Sequence, residues 1–154
     1  KAQEAPALLA ERLAEAPPIC RVAGARGVAA WSDPQLGALL RLHLLRGEDE
    51  PDVIGECFDA LLELDQANDA FVRGYLGTTG VESDCALLAL AGVRRIETRA
   101  VVEWLGRQVE PARRRVGMVA LALLRREDAR QELEHLAEWG SEADQDLARE
   151  ALDL

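Results

Sequence analysis

The chain has 154 residues and a formal net charge of −10, with Ala, Leu, Glu and Arg abundant and Tyr, Phe, Ile and Thr scarce. That balance favours straight-chain helix formers over strand formers, and the length allows about two thirds of the unfolded surface to be buried in one domain without disulfides or metal. The charge opposes binding to nucleic acid or anionic lipid, no apolar run reaches the roughly 18 residues a membrane span needs, and three widely spaced cysteines (Cys20, Cys57, Cys85) without a CxxC pair point away from disulfides and zinc and toward the cytoplasm.

Residues 1–32 read as an N-terminal helical cap or partial repeat: "APALLAERLAEA" is an amphipathic helix, and "ICRVAGARGVAAW" follows Pro17-Pro18. Terminal repeats are atypical because one side lacks a neighbour. Residues 33–154 read as four two-helix units within the same domain. The first helices are predicted at 35–46, 67–76, 97–107 and 128–139, and the second at 51–64, 82–93, 111–125 and 142–153, with "RGEDEP", "LGTTGV", "GRQVEP" and "EWGSEAD" as punctuation. The chain opens without Met and ends right after the last anchor, Leu152, with no polar cap, so the protein is expected to continue or this end to dock on something.

An Ala-Leu pair recurs as Ala60-Leu61, Ala89-Leu90, Ala120-Leu121 and Ala151-Leu152, spaced 29, 31 and 31, with Ala29 another 31 upstream. Three residues before each anchor lies a small residue: Cys57, Ala86, Gly117 or Ala148. Small residues there let helices approach closely. Leu45, Leu76, Leu105 and Leu136 form a parallel register in the first helices, and the neighbouring column Leu44, Tyr75, Trp104, His135 is expected on the surface.

Pro51 and Pro111 each follow a Glu and stand nine residues before an anchor Ala, in "EPDVIGECFDAL" and "EPARRRVGMVAL". Proline suits the first helical position, and the preceding acid complements the helix dipole. The pattern resembles the second helix of HEAT repeats, especially the short repeats of phycobilisome-lyase-like proteins, whose units often read Asp-Pro-x-Val-Arg. Here Val53 is kept and Ile54 replaces the Arg. The resemblance implies an all-α solenoid of antiparallel helical hairpins, about four repeats plus the cap, and a non-catalytic scaffold for a protein or peptide partner. The alternative is a HEAT-like enzyme or nucleic-acid binder, such as a DNA glycosylase or a chromophore lyase.

The residues offer little chemistry. Glu132 and His135 share a helix face, but a di-iron set needs a second such pair and two more inward Glu residues, and the other histidine, His43, has Leu40 three before it. Cys57 and Cys85 read as buried, quiet thiols. Glu103, Trp104 and Arg107 could mimic a glycosylase trio, yet three such residues in one turn are commonplace. Arg113, Arg114 and Arg115 fan over about 200° of a helix start and cannot share a ligand. No metal, cofactor or catalytic residue is expected.

Two second helices, "CALLALAGV" and "VGMVALALL", are apolar nearly all round, and such helices are buried on every side or offer an exposed apolar face. The position before each anchor reads Asp59, Leu88, Val119, Glu150. One expectation is a groove on the concave face, anchored at Leu88 and Val119 and rimmed by Asp59, Glu63 and Glu150; its rival is burial within the monomer. Self-association is a third, because residues 48–69 hold nine acids and no base while residues 94–130 hold ten arginines against five acids.

Overall fold

The computed structural model describes residues 4–154, and among these it contains ten α-helices and no strand. Cα packing divides the chain into two compact units, one up to Cys85 and one from Ala86 to Leu154.

The first unit contains α1 (Glu4–Ala14), α2 (Pro18–Trp31), α3 (Gly37–Arg46), α4 (Pro51–Leu64) and α5 (Asp69–Arg73). Pro18 and Pro51 open their helices, where a missing N–H costs nothing. A 3₁₀ turn, Pro34–Leu36, leads into α3, capped by the Asp33 carboxylate accepting from the Gln35 N–H. The helix predicted at 67–76 is instead the short α5 between the 3₁₀ turns Gln66–Asn68 and Gly74–Gly77. Asp65 accepts from the Ala67 N–H, and Gly74 and Gly77 disfavour continuing the helix. The core comes mainly from α4, where Val53, Ile54, Cys57, Phe58, Leu61 and Leu62 are all buried.

Helix α6 (Val81–Gly92) crosses the boundary, and the second unit continues with α7 (Thr98–Gly106), α8 (Pro111–Leu124), α9 (Glu127–Trp139) and α10 (Glu142–Leu152). Its α6 segment ends in a Schellman motif: Arg94 takes φ 58°, and the Arg95 N–H bonds the Leu90 carbonyl at 2.9 Å. Arg125 adopts the same left-handed conformation 31 residues later, ending α8. The Ser141 hydroxyl caps α10 by accepting from the Asp144 N–H. Helix α8 buries Gly117, Met118, Ala120, Leu121 and Leu124 against its neighbours α7, α9 and α10.

The predicted bounds of the other helices hold to within two residues, and three of the four anchor leucines, Leu61, Leu90 and Leu121, are essentially inaccessible. The register within the first helices needs correction. In α3 the inward stripe is Gly37, Leu40 and Leu44, so Leu45, one step round the helix, is 70% exposed. The column expected at the surface divides accordingly. Leu44 and Trp104 are buried, Tyr75 is half-buried against Phe58 with ring centroids 5.1 Å apart, and only His135 is exposed.

The small-residue column performs as expected and extends into α2. A Cβ on Gly117 would meet Leu105 Cδ1 at 2.8 Å and Trp104 Cζ3 at 3.3 Å; one on Gly24 would meet the Leu13 N at 3.1 Å. Gly24 and Gly117 each lie six residues after the proline that opens their helix, so α1–α2 and α7–α8 make the same close approach.

Polar side chains tie residues about one repeat apart. Arg114 holds Asp144 through two hydrogen bonds of 2.7 Å, Thr98 Oγ1 donates to Asp128 at 2.8 Å, Arg26 donates to Glu56 at 2.7 Å, and Arg126 donates to the Ile96 carbonyl at 2.7 Å; each pair is separated by 30 residues. Bidentate Arg–carboxylate pairs are among the stronger hydrogen-bonded contacts a protein makes.

Candidate functional site

The outward faces of the second helices carry the candidate surface. On α4 the outward positions are Asp52, Glu56, Asp59 and Glu63, spaced 4, 3 and 4 apart, so they form one ridge of carboxylates. Desolvation, then repulsion from Glu56 and Glu63, raises the Asp59 pKa above its ordinary value. Asp59 and Glu63 are both exposed and lie one turn apart on α4.

Beside this ridge lies a strip that sequence reasoning missed. Ile19, Ala23, Arg26 and Ala30 of α2 are all exposed and follow the same 4, 3, 4 spacing, with Ile19 at 76% exposure. Helices α2 and α4 pack together, and Arg26 bonds Glu56 across them. The available signal was the spacing itself, obscured by the small residues of "ICRVAGARGVAAW".

In the second unit Leu88 and Val119 are half-buried, so neither the open groove anchors nor the sealed core describes them fully. Glu150 is not a free rim acid: it pairs with Arg115 at 2.9 Å, both side chains remaining more than half exposed. The arginine fan divides into three roles. Arg113 lies over the Trp104 ring with its Cζ 5.4 Å from the centroid, Arg114 clamps Asp144 and donates to the Leu105 and Gln108 carbonyls, and Arg115 reaches Glu150. Of the three, Arg115 is exposed, while Arg113 and Arg114 are half-buried.

Arg21 repeats the role of Arg114. Each is the fourth residue of a helix opened by proline, and each donates to carbonyls at the end of the preceding helix, Arg21 to those of Glu15 and Ala16. Arg21 then pairs with Glu48 at 2.6 Å, and His43 Nε2 lies 3.2 Å from the same carboxylate. Desolvation would raise the Glu48 pKa, but hydrogen bonds from Arg21 and His43, with their charge, hold it below its ordinary value.

A groove of about 400 Å³ beside this cluster is lined by Ala10, Leu13, Leu39, Leu42, His43 and Glu48. In the second unit a cavity of about 350 Å³ is bordered by Leu121, Leu133, Ala151, Arg125, Arg126 and Arg130. Glu48 beside the first and Arg126 beside the second use their polar atoms to hold neighbouring segments.

The remaining sequence candidates do not assemble. Trp104 is buried, while Glu103 is exposed and pairs with Arg99 at 3.0 Å, so the trio with Arg107 shares no cleft. Among the described residues no group of three or more His, Cys, Asp or Glu is placed to hold a metal ion. Cys57 is buried, with desolvation pushing its thiol up to about 12. Cys85 corrects the expectation of burial: it is half-buried, because its thiol points to the Pro51 carbonyl at 3.6 Å while Ala86 fills the interior position; desolvation still pushes it up to about 11. No described helix is long and apolar enough to cross a membrane. No known family's model matches the chain and no curated protein matches its sequence.

Proposed function

We propose that the chain is a non-catalytic interaction module built as a HEAT-like α-solenoid, whose second helices form the concave face that binds a protein or peptide. Three recurrences support the stacked arrangement: side-chain bonds between residues one repeat apart, the proline-opened helix whose fourth residue is a clamping arginine, and the left-handed helix ends of Arg94 and Arg125, 31 residues apart. In solenoids each repeat contacts its neighbours and the array offers an extended face.

One observation carries the functional reading. The half-buried Arg21, Glu48 and Arg114 and the buried Thr98 and Asp144 direct their hydrogen bonds into holding the fold together, while the outward faces of α2 and α4 present to solvent a strip of small and apolar residues crossed by Arg26 and an acidic ridge. Polar groups committed to structure are poorly placed for catalysis, and an exposed mixed surface is what a partner reads. The three cysteines are free, in keeping with a reducing compartment such as the cytoplasm.

The test uses Leu88→Asp and Val119→Asp in the full chain. If these half-buried positions belong to the binding face, each variant keeps its helical circular dichroism and loses capture of the partner or self-association. If they belong to the interior, an unpaired carboxylate costs several kcal/mol and helicity falls, which contradicts their place on the face.

A further inference from the structure

We propose that the α2–α4 face of the first unit is a docking site for a cationic amphipathic helix of a partner protein. The inference rests on the reading of the second helices as binding elements and specifies the partner's chemistry. Ile19, Ala23 and Ala30 are exposed along one face of α2, with Arg26 among them. Ile19 projects at one end, Ala23 and Ala30 are low, and the exposed Arg26 between them reaches across to Glu56 on α4. Helix α4 presents a parallel stripe made only of carboxylates, Asp52, Glu56, Asp59 and Glu63. The bonds from Arg26 to Glu56, at 3.0 and 2.7 Å, join the middles of the stripes and fix them side by side.

Either stripe alone is ordinary. Single exposed apolar residues are common, and an acidic helix face is well solvated. Their juxtaposition is selective. Alanines let a second helix approach closely and lay bulky apolar side chains across the low strip, against Ile19. The carboxylates alongside then require cationic residues on one flank of that helix. A basic amphipathic helix has this pattern, with apolar anchors three and four residues apart. The α4 acids also crowd one another: after desolvation, the main cause, Glu56 and Glu63 each raise the Asp59 pKa, and a bound cation relieves that repulsive part. Among the described residues, Glu56 alone of the ridge forms an ion pair, with Arg26.

The wider charge agrees. The first unit carries 15 acids against 7 bases, whereas the second carries 13 against 11. A negative field draws in a cationic ligand and repels nucleic acid, anionic membrane and the same face of a second copy.

The experiment titrates the full chain into a fluorescently labelled Leu/Lys amphipathic helix. A Ser/Lys peptide of equal charge and a Leu/Glu helix serve as controls. The expected result is saturable binding of the Leu/Lys helix alone, weakened at least about tenfold by Ile19→Ser with Ala23→Gln and, separately, by Asp59→Asn with Glu63→Gln. The first pair removes the projecting apolar side chain and fills the low strip with a polar one; the second removes two charges from the ridge. All four positions are exposed, so helicity should be unchanged. Equal binding of the Ser/Lys peptide would reduce the effect to bulk charge and overturn the proposal. Binding that responds to Leu88→Asp or Val119→Asp but not to the α2–α4 variants also overturns it, while leaving the second helices as the binding elements. Binding insensitive to both sets of variants removes that broader reading as well.

Discussion

The first unit clamps α2 through Arg21 and Glu48, and the second clamps α8 through Arg114 and Asp144, yet the two clamps are assembled differently. Asp144 sits in the first turn of α10, so the second-unit clamp joins two second helices directly. Glu48 sits in the segment between α3 and α4, shares its carboxylate with His43, and reaches back to α2. At the equivalent position of α4 there is no arginine but Ile54, fully buried. Apolar packing can thus replace one link of a polar ladder. Where the link is ionic, one partner cannot be removed without stranding the other.

The largest effect should therefore follow loss of the second-unit clamp. Arg114→Ala leaves Asp144, only 12% exposed at its side chain, without its partner and frees the Leu105 and Gln108 carbonyls. Breaking a buried pair costs about 3 to 5 kcal/mol, so the melting temperature should fall sharply. A double replacement of Arg114 and Asp144 by apolar residues should recover much of that loss. A melting temperature unchanged in Arg114→Ala would show that the clamp carries no stability.

Next in size is Gly117→Leu. The added side chain would drive into Leu105 and the buried Trp104, an overpacking cost of about 1 to 3 kcal/mol, measurable by denaturant melts. An unperturbed melt would contradict the close approach of α7 and α8.

Smaller still is the pH response of the first-unit clamp. The Glu48 pKa is lowered from 4.5 by Arg21 and His43, once their hydrogen bonds outweigh desolvation. Its stabilising contribution is complete above the unfolded pKa and disappears as pH falls through the lower folded value. Glu48→Gln should accordingly flatten the loss of stability on acidification below about pH 4.5, leaving the neutral-pH offset as the cost of the clamp. A variant that acidifies along the wild-type curve would contradict the assignment.

Helix bounds were legible because their signals are local: Pro18, Pro51 and Pro111 open helices and Ser141 caps one, whatever the tertiary fold. The small column was legible for a related reason, since Gly117 and Ala148 repeat at fixed distance from the anchors. The choice between Leu44 and Leu45 was not, because adjacent leucines satisfy a helical period nearly equally and only packing decides which turns inward. The clamps were hidden because Arg21 and Arg114 find their acids 27 and 30 residues away, in a chain where acids are plentiful. The candidate surface was half legible. Asp59 and Glu63 stand out on α4, but the strip from Ile19 to Ala30 is written mostly in alanine, and Glu150 gave no hint that Arg115 would engage it.

Chemical-shift mapping of the isotopically labelled full chain during titration with the Leu/Lys helix tests most directly whether the α2–α4 face is the binding surface. The expected result is perturbation concentrated on Ile19, Ala23, Asp59 and Glu63, with Ala10, Leu39 and Leu42 on α1 and α3 unaffected. Perturbations confined to the α1 and α3 residues, or scattered evenly over every exposed carboxylate, would contradict it.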